Sequence, residues 1–134
     1  MDIRQDRRRD PRVRVKVRLE VKDIETGRTH ILHTCDLSAS GARCVALGPV
    51  RPDAVLEGYI YLPLSEAGRD IDIALPIRGR ILRIDRAGVS PTMEFALAFD
   101  AMKDADRAEL SAYLFDWLAN DSWSHAGLTA EAIS

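Results

Sequence analysis

The residues in this sequence that are best suited to binding chemistry lie in two short stretches, and the first is a run of arginines. Residues 7–12 read Arg-Arg-Arg-Asp-Pro-Arg, with the spacing Arg-x-x-x-Arg at Arg8 and Arg12. Residues 1–18 hold seven arginines and one lysine against three aspartates, although the whole chain has a net charge of −2. A guanidinium group is planar and permanently charged, so it can grip a phosphate with two hydrogen bonds or stack on a purine ring. This composition predicts a cationic arm that seeks an anion.

The second stretch is a polar turn with the pattern Asp-x-Ser-x-x-Gly at Asp36, Ser38 and Gly41. A carboxylate can accept hydrogen bonds from N1–H and the 2-amino group of guanine, and a serine hydroxyl both donates and accepts. Glycine lets the backbone approach closely or takes a positive φ. Either stretch alone is commonplace, because arginine runs are often solvated tails and this pattern is ordinary turn chemistry. Together they suit an anionic purine nucleotide.

An alternating pattern predicts the strand that would bring the two stretches together. From residue 13 to residue 22, valines and a leucine alternate with charged side chains, which is typical of a strand with one buried face. A turn at residues 25–28 and a second strand at about residues 29–36 would form a hairpin. Because a hairpin returns the chain toward its start, we expect the Asp-x-Ser-x-x-Gly turn to lie beside the foot of the first strand.

The rest of the chain predicts more strands and one helix. Pro63 should end the fourth strand, and Pro76 favours an edge position or a bulge in the fifth. The further strands are expected at about residues 42–47, 55–62, 71–84 and 92–99. A helix should begin near Lys103 or Asp104, because apolar residues share one helical face at Leu110, Tyr113, Leu114, Trp117 and Leu118.

These elements predict a mainly β fold, a six-stranded antiparallel β-barrel with a C-terminal α-helix packed against it. The pattern divides the chain into a flexible arm at residues 1–12, the barrel and helix at residues 13–119, and a loose tail at residues 120–134.

The ordered pair of motifs resembles the PilZ domain family. That family has an Arg-x-x-x-Arg arm followed by an Asp/Asn-x-Ser-x-x-Gly turn on a split six-stranded barrel with a C-terminal helix. The resemblance covers about residues 4–118, and Ala96 stands where the family often has glycine. It implies a bacterial receptor for the second messenger cyclic di-GMP. The implied ligand-binding residues are Arg7, Arg8, Arg9, Arg12, Asp36, Ser38 and Gly41.

The resemblance also bears on stoichiometry and signalling. In some members an arginine in the place of Arg7 accompanies two stacked ligand molecules, so the ligand is expected as one molecule or as an intercalated dimer. Ligand binding should order the arm and signal to a downstream protein that controls motility, exopolysaccharide synthesis or virulence. The receptor itself could be a monomer or a homodimer.

Two other function classes remain open at this point. The first is a ligand-free adaptor of the same fold in motility or pilus assembly, which usually lacks the arginine arm. The second is a small RNA- or DNA-binding barrel, which would need aromatic side chains among the basic ones for base stacking. The arm contains no aromatic residue, so no nucleic-acid polymer is expected as a partner.

Several chemistries are not expected. Cys35 and Cys44 match no zinc spacing, and His30 and His33 should point to opposite faces of a strand, so no metal site is predicted. No catalytic pattern is present, so we predict a protein that is not an enzyme and needs no cofactor. The N-terminus lacks a signal-peptide pattern and no apolar run could span a bilayer, which predicts a cytoplasmic protein without membrane insertion. Arg43 and Arg78 either point into the site or belong to solvated strand faces.

Overall fold

The computed structural model describes residues 11–86, 92–100 and 102–133, with all side chains there except those of residues 66, 85, 86 and 121–133. Six antiparallel strands close into a barrel in the order β1-β2-β3-β6-β5-β4, and one C-terminal helix follows. The predicted fold class is therefore confirmed. The elements are β1 Arg18–Asp23, β2 Thr29–Leu37, β3 Gly41–Leu47, β4 Val55–Glu66, β5 Arg69–Arg86, β6 Thr92–Phe99 and α1 Asp104–Ile133.

Alternating side chains build the core, as the sequence pattern predicts. The inward residues from residue 13 to residue 21 are at most 9% exposed. Phe95 of β6 is fully buried in the same hydrophobic core cluster. Leu110 and Leu114 of α1 are also fully buried in this cluster, which confirms that the helix packs on the barrel. Removing this apolar surface from water is the main stabilising contribution.

The first strand is shorter than predicted. We expected a strand over residues 13–22, whereas β1 begins at Arg18 and residues 13–17 are extended without a continuous ladder. The pairing with β2 slips by one residue here, from Arg18↔His33 in the ladder to an isolated bridge between Val13 and Leu37. The valines still point inward, so the alternation predicted the burial correctly but not the hydrogen bonding.

The hairpin of β4 and β5 is longer than predicted. We expected Pro63 to end the fourth strand, but β4 continues to Glu66. β4 pairs with β1 only as far as Tyr61, and β5 pairs with β6 only from Gly79 onward. Between these two residues, β4 and β5 therefore pair only with each other. Proline is tolerated where a strand has a neighbour on one side only. Pro76 lies in this same hairpin extension, residues 62–78, as its predicted edge position requires.

The turn of this hairpin and the end of the helix complete the fold. Ala67 and Gly68 have φ values of 52° and 76°, the positive values that a two-residue type I′ turn needs. The backbone of α1 continues through residues 120–133, which the loss of pattern had assigned to a loose tail. The division into arm, barrel and tail stays a prediction. Within the described ranges, no helical segment combines the length and apolar composition that a membrane span needs.

Candidate ligand-binding groove

The end of the arm and the polar turn meet at the foot of the barrel. The amide of Val13 donates to the carbonyl of Leu37 at 2.8 Å, and the amide of Leu37 donates back to the carbonyl of Val13 at 2.9 Å. This bridge places Arg12 beside Asp36, and Arg12 Nη1 donates to Asp36 Oδ1 at 2.7 Å. Two of the predicted site residues, 24 positions apart in sequence, are therefore in direct contact.

A bulge in β2 aims Asp36 at this contact. Thr34 pairs with Cys44 and Asp36 pairs with Arg43, so β2 has one extra residue relative to β3. Without the extra residue Asp36 would share the inward face of Thr34, because side chains on a strand alternate with period two. With it, Leu37 is buried and Asp36 faces outward. The bulge is therefore the local feature that turns a carboxylate from the core to the surface.

A groove of about 530 Å³ lies around the Arg12–Asp36 pair. Its volume is within the range of about 300–1,000 Å³ that is usual for small-molecule sites. Three cations and two carboxylates line it, so its formal lining charge favours an anion. We call it the arginine groove; its lining residues are Arg12, Arg14, Cys35, Asp36, Arg43 and Glu94.

Thr34 fastens residues 15–17, which follow the arm, to the second strand. Its Oγ1 donates to the carbonyl of Val15 at 2.6 Å and accepts from the amide of Val17 at 2.9 Å. The side chain is only 4% exposed, so it replaces the ladder hydrogen bonds where the register slips. The sequence motifs did not single out Thr34. The available signal was a polar residue two positions after Leu32, on the inward face of the second strand.

Ser38 lies in the motif turn with its hydroxyl engaged by the turn itself. Ser38 Oγ donates to the carbonyl of Gly41 at 3.2 Å, accepts from the amide of Ser40 at 3.3 Å, and lies 3.2 Å from Ser40 Oγ. Ser38 is 3% exposed. In this structure Ser38 therefore shapes the turn that follows Asp36 rather than lining the arginine groove.

Gly41 is required by a close approach of backbone rather than by a positive φ. A Cβ added there would meet the carbonyl oxygen of Leu97 on β6 at 2.5 Å, which is closer than side chains come. The neighbouring carbonyls of the turn are also held: Ser40 accepts from the amide of Phe99 at 2.9 Å, and Ala39 accepts from Arg107 Nη1 of α1 at 2.8 Å. The turn is thus fixed by β6 and by the helix.

The remaining arginines of interest divide into three groups. Arg7, Arg8 and Arg9, which were predicted to bind the ligand, lie outside the described residues. Arg43 lines the arginine groove, whereas Arg78 pairs with Glu57 at 3.0 Å and with Asp100 at 3.9 Å. Two further lining residues, Arg14 and Glu94, were not singled out from the sequence. Outward charged residues on different strands all look alike in a sequence.

Neither cysteine has the character of a nucleophile. Cys35 is exposed in the arginine groove, where partial burial and the carboxylates of Glu94 and Asp36 raise the pKa of its thiol. Burial raises the pKa of Cys44 to about 12. Because the thiolate is the reactive form, both thiols are poorly reactive near neutral pH.

A second concave region, of about 210 Å³, lies at the β1–β2 turn and has a structural explanation. The carboxylate of Asp23 accepts two hydrogen bonds from Arg51, at 2.9 and 3.0 Å, and others from the amides of Glu25 and Thr26. The hydrogen bond from Arg51 is the main reason that the pKa of Asp23 falls to about 2. These contacts tie the hairpin turn to the loop before β4.

A known family model covers most of the chain, including the arginine groove. Residues 6–116 match the family model described as PilZ domain. The chain belongs to the PilZ domain family. The matched range includes both motifs and all six residues that line the arginine groove, so the family predicted from Arg8, Arg12 and the Asp36–Gly41 turn is confirmed. No curated protein matches the sequence significantly.

Solved PilZ structures share the fold at low sequence identity. The PilZ domain of YcgR from Escherichia coli with c-di-GMP superposes with a TM-score of 0.63 at 14% identity, covering 91% of this chain and 98% of that one. The inhibitor of motility MotI/DgrA from Bacillus subtilis gives 0.68 at 17% identity, covering 85% of this chain. The chain spans only 52% of MotI, about half its length. At these identities the likeness supports the barrel fold.

Proposed function

We propose that this PilZ chain is a receptor module for cyclic di-GMP, and that it is a binding protein rather than an enzyme. The observation that carries the proposal is the contact between Arg12 and Asp36 at the edge of the arginine groove. One residue of each motif lies there, in a groove with three guanidinium groups. Cyclic di-GMP has two guanines with donor edges and two phosphates, which are the groups that a carboxylate and arginines recognise.

In this proposal each described motif residue has a distinct part. Asp36 accepts hydrogen bonds from a guanine edge, and Arg12, which it holds in the free protein, bonds or stacks on the ligand. Ser38 and Gly41 keep the turn in shape so that Asp36 stays outward. The arginines at positions 7–9 complete the site by folding over the ligand, and the ordering of the arm is the signal to a partner protein.

Relatives give this proposal its biological setting. The YcgR domain was determined with c-di-GMP, and MotI is named as an inhibitor of motility. The name of MotI favours a partner in motility, and exopolysaccharide synthesis and virulence stay the other predicted settings. The predicted cytoplasmic location, the choice between monomer and homodimer, and the choice between one ligand and an intercalated dimer stay predictions.

Isothermal titration with cyclic di-GMP tests the receptor function and gives the stoichiometry. We expect micromolar affinity, about −8 kcal/mol. Arg12→Ala and Asp36→Ala should each weaken binding by about 1.5–3 kcal/mol, because each removes a hydrogen bond to a charged group. A mixed oligonucleotide and cyclic di-AMP are titrated separately, at two salt concentrations, as control ligands. A protein that binds none of these would support the adaptor alternative, and preferential oligonucleotide binding would support the nucleic-acid alternative.

A further inference from the structure

A second ion pair, between Arg43 and Glu94, lies in the arginine groove next to the pair of Arg12 and Asp36. Arg43 is the β3 partner of Asp36, and Glu94 on β6 is the partner of Val45, so the two ion pairs sit side by side on the outer face of three strands. Arg43 Nη2 lies 3.6 Å from Glu94 Oε1. The two side chains are 34% and 41% exposed.

The two ion pairs differ in strength. The Arg12–Asp36 pair is a short hydrogen bond at 2.7 Å, and its side chains are 55% and 19% exposed. The pair of Arg43 and Glu94 is nearly 1 Å longer, beyond hydrogen-bond range, and its carboxylate is 41% exposed. Exposed pairs of this kind contribute little free energy, because water and salt screen them. A phosphate can accept two parallel hydrogen bonds from a guanidinium group, so it is a better partner for Arg43 than a distant carboxylate.

Position as well as chemistry favours an exchange of partners. Neighbouring strands are about 4.8 Å apart, so Arg43 lies one strand spacing from the carboxylate that would hold a guanine edge. The long arginine side chain can span the distance from that base to its phosphate. We propose that Arg43 is a further phosphate-binding residue of the groove, and that Glu94 holds its guanidinium group until the dinucleotide binds. This inference rests on the proposed function, because the phosphate it assigns to Arg43 is that of cyclic di-GMP.

The exchange predicts opposite effects for the two partners. Arg43→Ala removes the new contact, so the dissociation constant for cyclic di-GMP should rise about tenfold or more. Arg43→Lys keeps the charge but not the fork, so a smaller rise of about threefold to fivefold is expected. Glu94→Gln removes the carboxylate that Arg43 must leave, and an exposed ion pair of this kind is worth up to about fivefold in an equilibrium constant, so the affinity should become about threefold tighter. That gain should shrink as salt is added.

A double-mutant cycle tests whether Glu94 acts through Arg43. If it does, Glu94→Gln should change the affinity of the Arg43→Ala protein by much less than threefold. If Glu94 were only one more negative charge near the ligand, its removal would tighten binding equally in both backgrounds. Equal tightening would overturn the exchange role.

The control variants come from a similar ion pair on other strands. Arg78 and Glu57 form an exposed pair at 3.0 Å across β4 and β5, so Arg78→Ala and Glu57→Gln should leave the affinity within twofold of the original. A thermal melt of each variant first shows whether it folds. If Arg43→Ala does not fold, the comparison is made with Arg43→Lys. Normal binding by the unaltered protein together with unchanged affinity in the Arg43 variants overturns this inference alone. No binding by the unaltered protein overturns the proposed function and the inference with it.

Discussion

Replacing Thr34 with valine is the most informative perturbation of how residues 15–17, which follow the arm, are held against β2. The two side chains have nearly the same shape, so the change removes a hydroxyl and little else. It leaves the carbonyl of Val15 and the amide of Val17 without the partner that they have at 2.6 and 2.9 Å. Val15 and Val17 are 9% and 3% exposed, so water cannot readily replace the hydroxyl.

The size of the effect follows from these two groups. A buried backbone group without a partner costs about 1–3 kcal/mol, so two of them cost about 2–6 kcal/mol. The added methyl group of valine returns about 0.8 kcal/mol of burial. We therefore expect Thr34→Val to lower the free energy of unfolding by about 1–5 kcal/mol, compared with the roughly 5–15 kcal/mol that is usual for a domain.

Urea denaturation followed by circular dichroism measures this loss. With a slope of about 2 kcal/mol per molar urea, the midpoint should fall by about 0.5–2.5 M while the slope stays constant. Thr34→Ser keeps the hydroxyl and loses one methyl group, so it should cost only about 1 kcal/mol. Thr29→Val, at an exposed position of the same strand, should stay within about 0.5 kcal/mol of the original. If Thr34→Val and Thr29→Val have the same free energy of unfolding, the Thr34 hydroxyl does not stabilise residues 15–17.

Two further predictions concern the motif turn and the far end of the barrel. Gly41→Ala should lower stability by about 1–3 kcal/mol, because the new Cβ forces β3 away from the carbonyl of Leu97; an unchanged thermal midpoint would contradict the close approach. The carboxyl pKa of Asp23 is lowered from 3.8 to about 2, chiefly by the hydrogen bond from Arg51, so its stabilisation is complete above pH 3.8 and is lost as the pH falls toward 2. Asp23→Asn should flatten the acid side of a stability–pH profile, and a profile unchanged in shape would show that this carboxylate does not contribute.

The sequence predicted the barrel well because alternation reports burial directly. Residues 13–21 gave the buried face of the first strand, and the two motifs gave the contact between Arg12 and Asp36. The bulge at Cys35 could not be predicted, since polar residue types stand on both sides of it and either register leaves a plausible pattern. The extent of β4 also escaped prediction, because whether Pro63 ends a strand depends on which neighbours pair with it. That is a property of the closed barrel and not of the local sequence.

The membership of the groove was only half predictable for a related reason. The motif residues belong to the arm and to one turn, and both are continuous in sequence. Glu94 comes from a strand about 50 positions later, and nothing in its neighbourhood distinguishes it from any solvated carboxylate. Only the order of strands, which places β6 beside β3, brings it to the groove.

The hairpin extension at residues 62–78 bears on how the molecule avoids sticking to its own copies. A barrel wall has no open edge, but two strands that project past it expose backbone groups that another chain could pair with. Pro63 lies on one strand of the extension and Pro76 on the other, and each lacks the amide hydrogen that such pairing needs. Asp70 and Asp72 add negative charge on β5, the second strand of the extension. The two prolines and the two aspartates therefore disfavour pairing between the extensions of two copies of the protein.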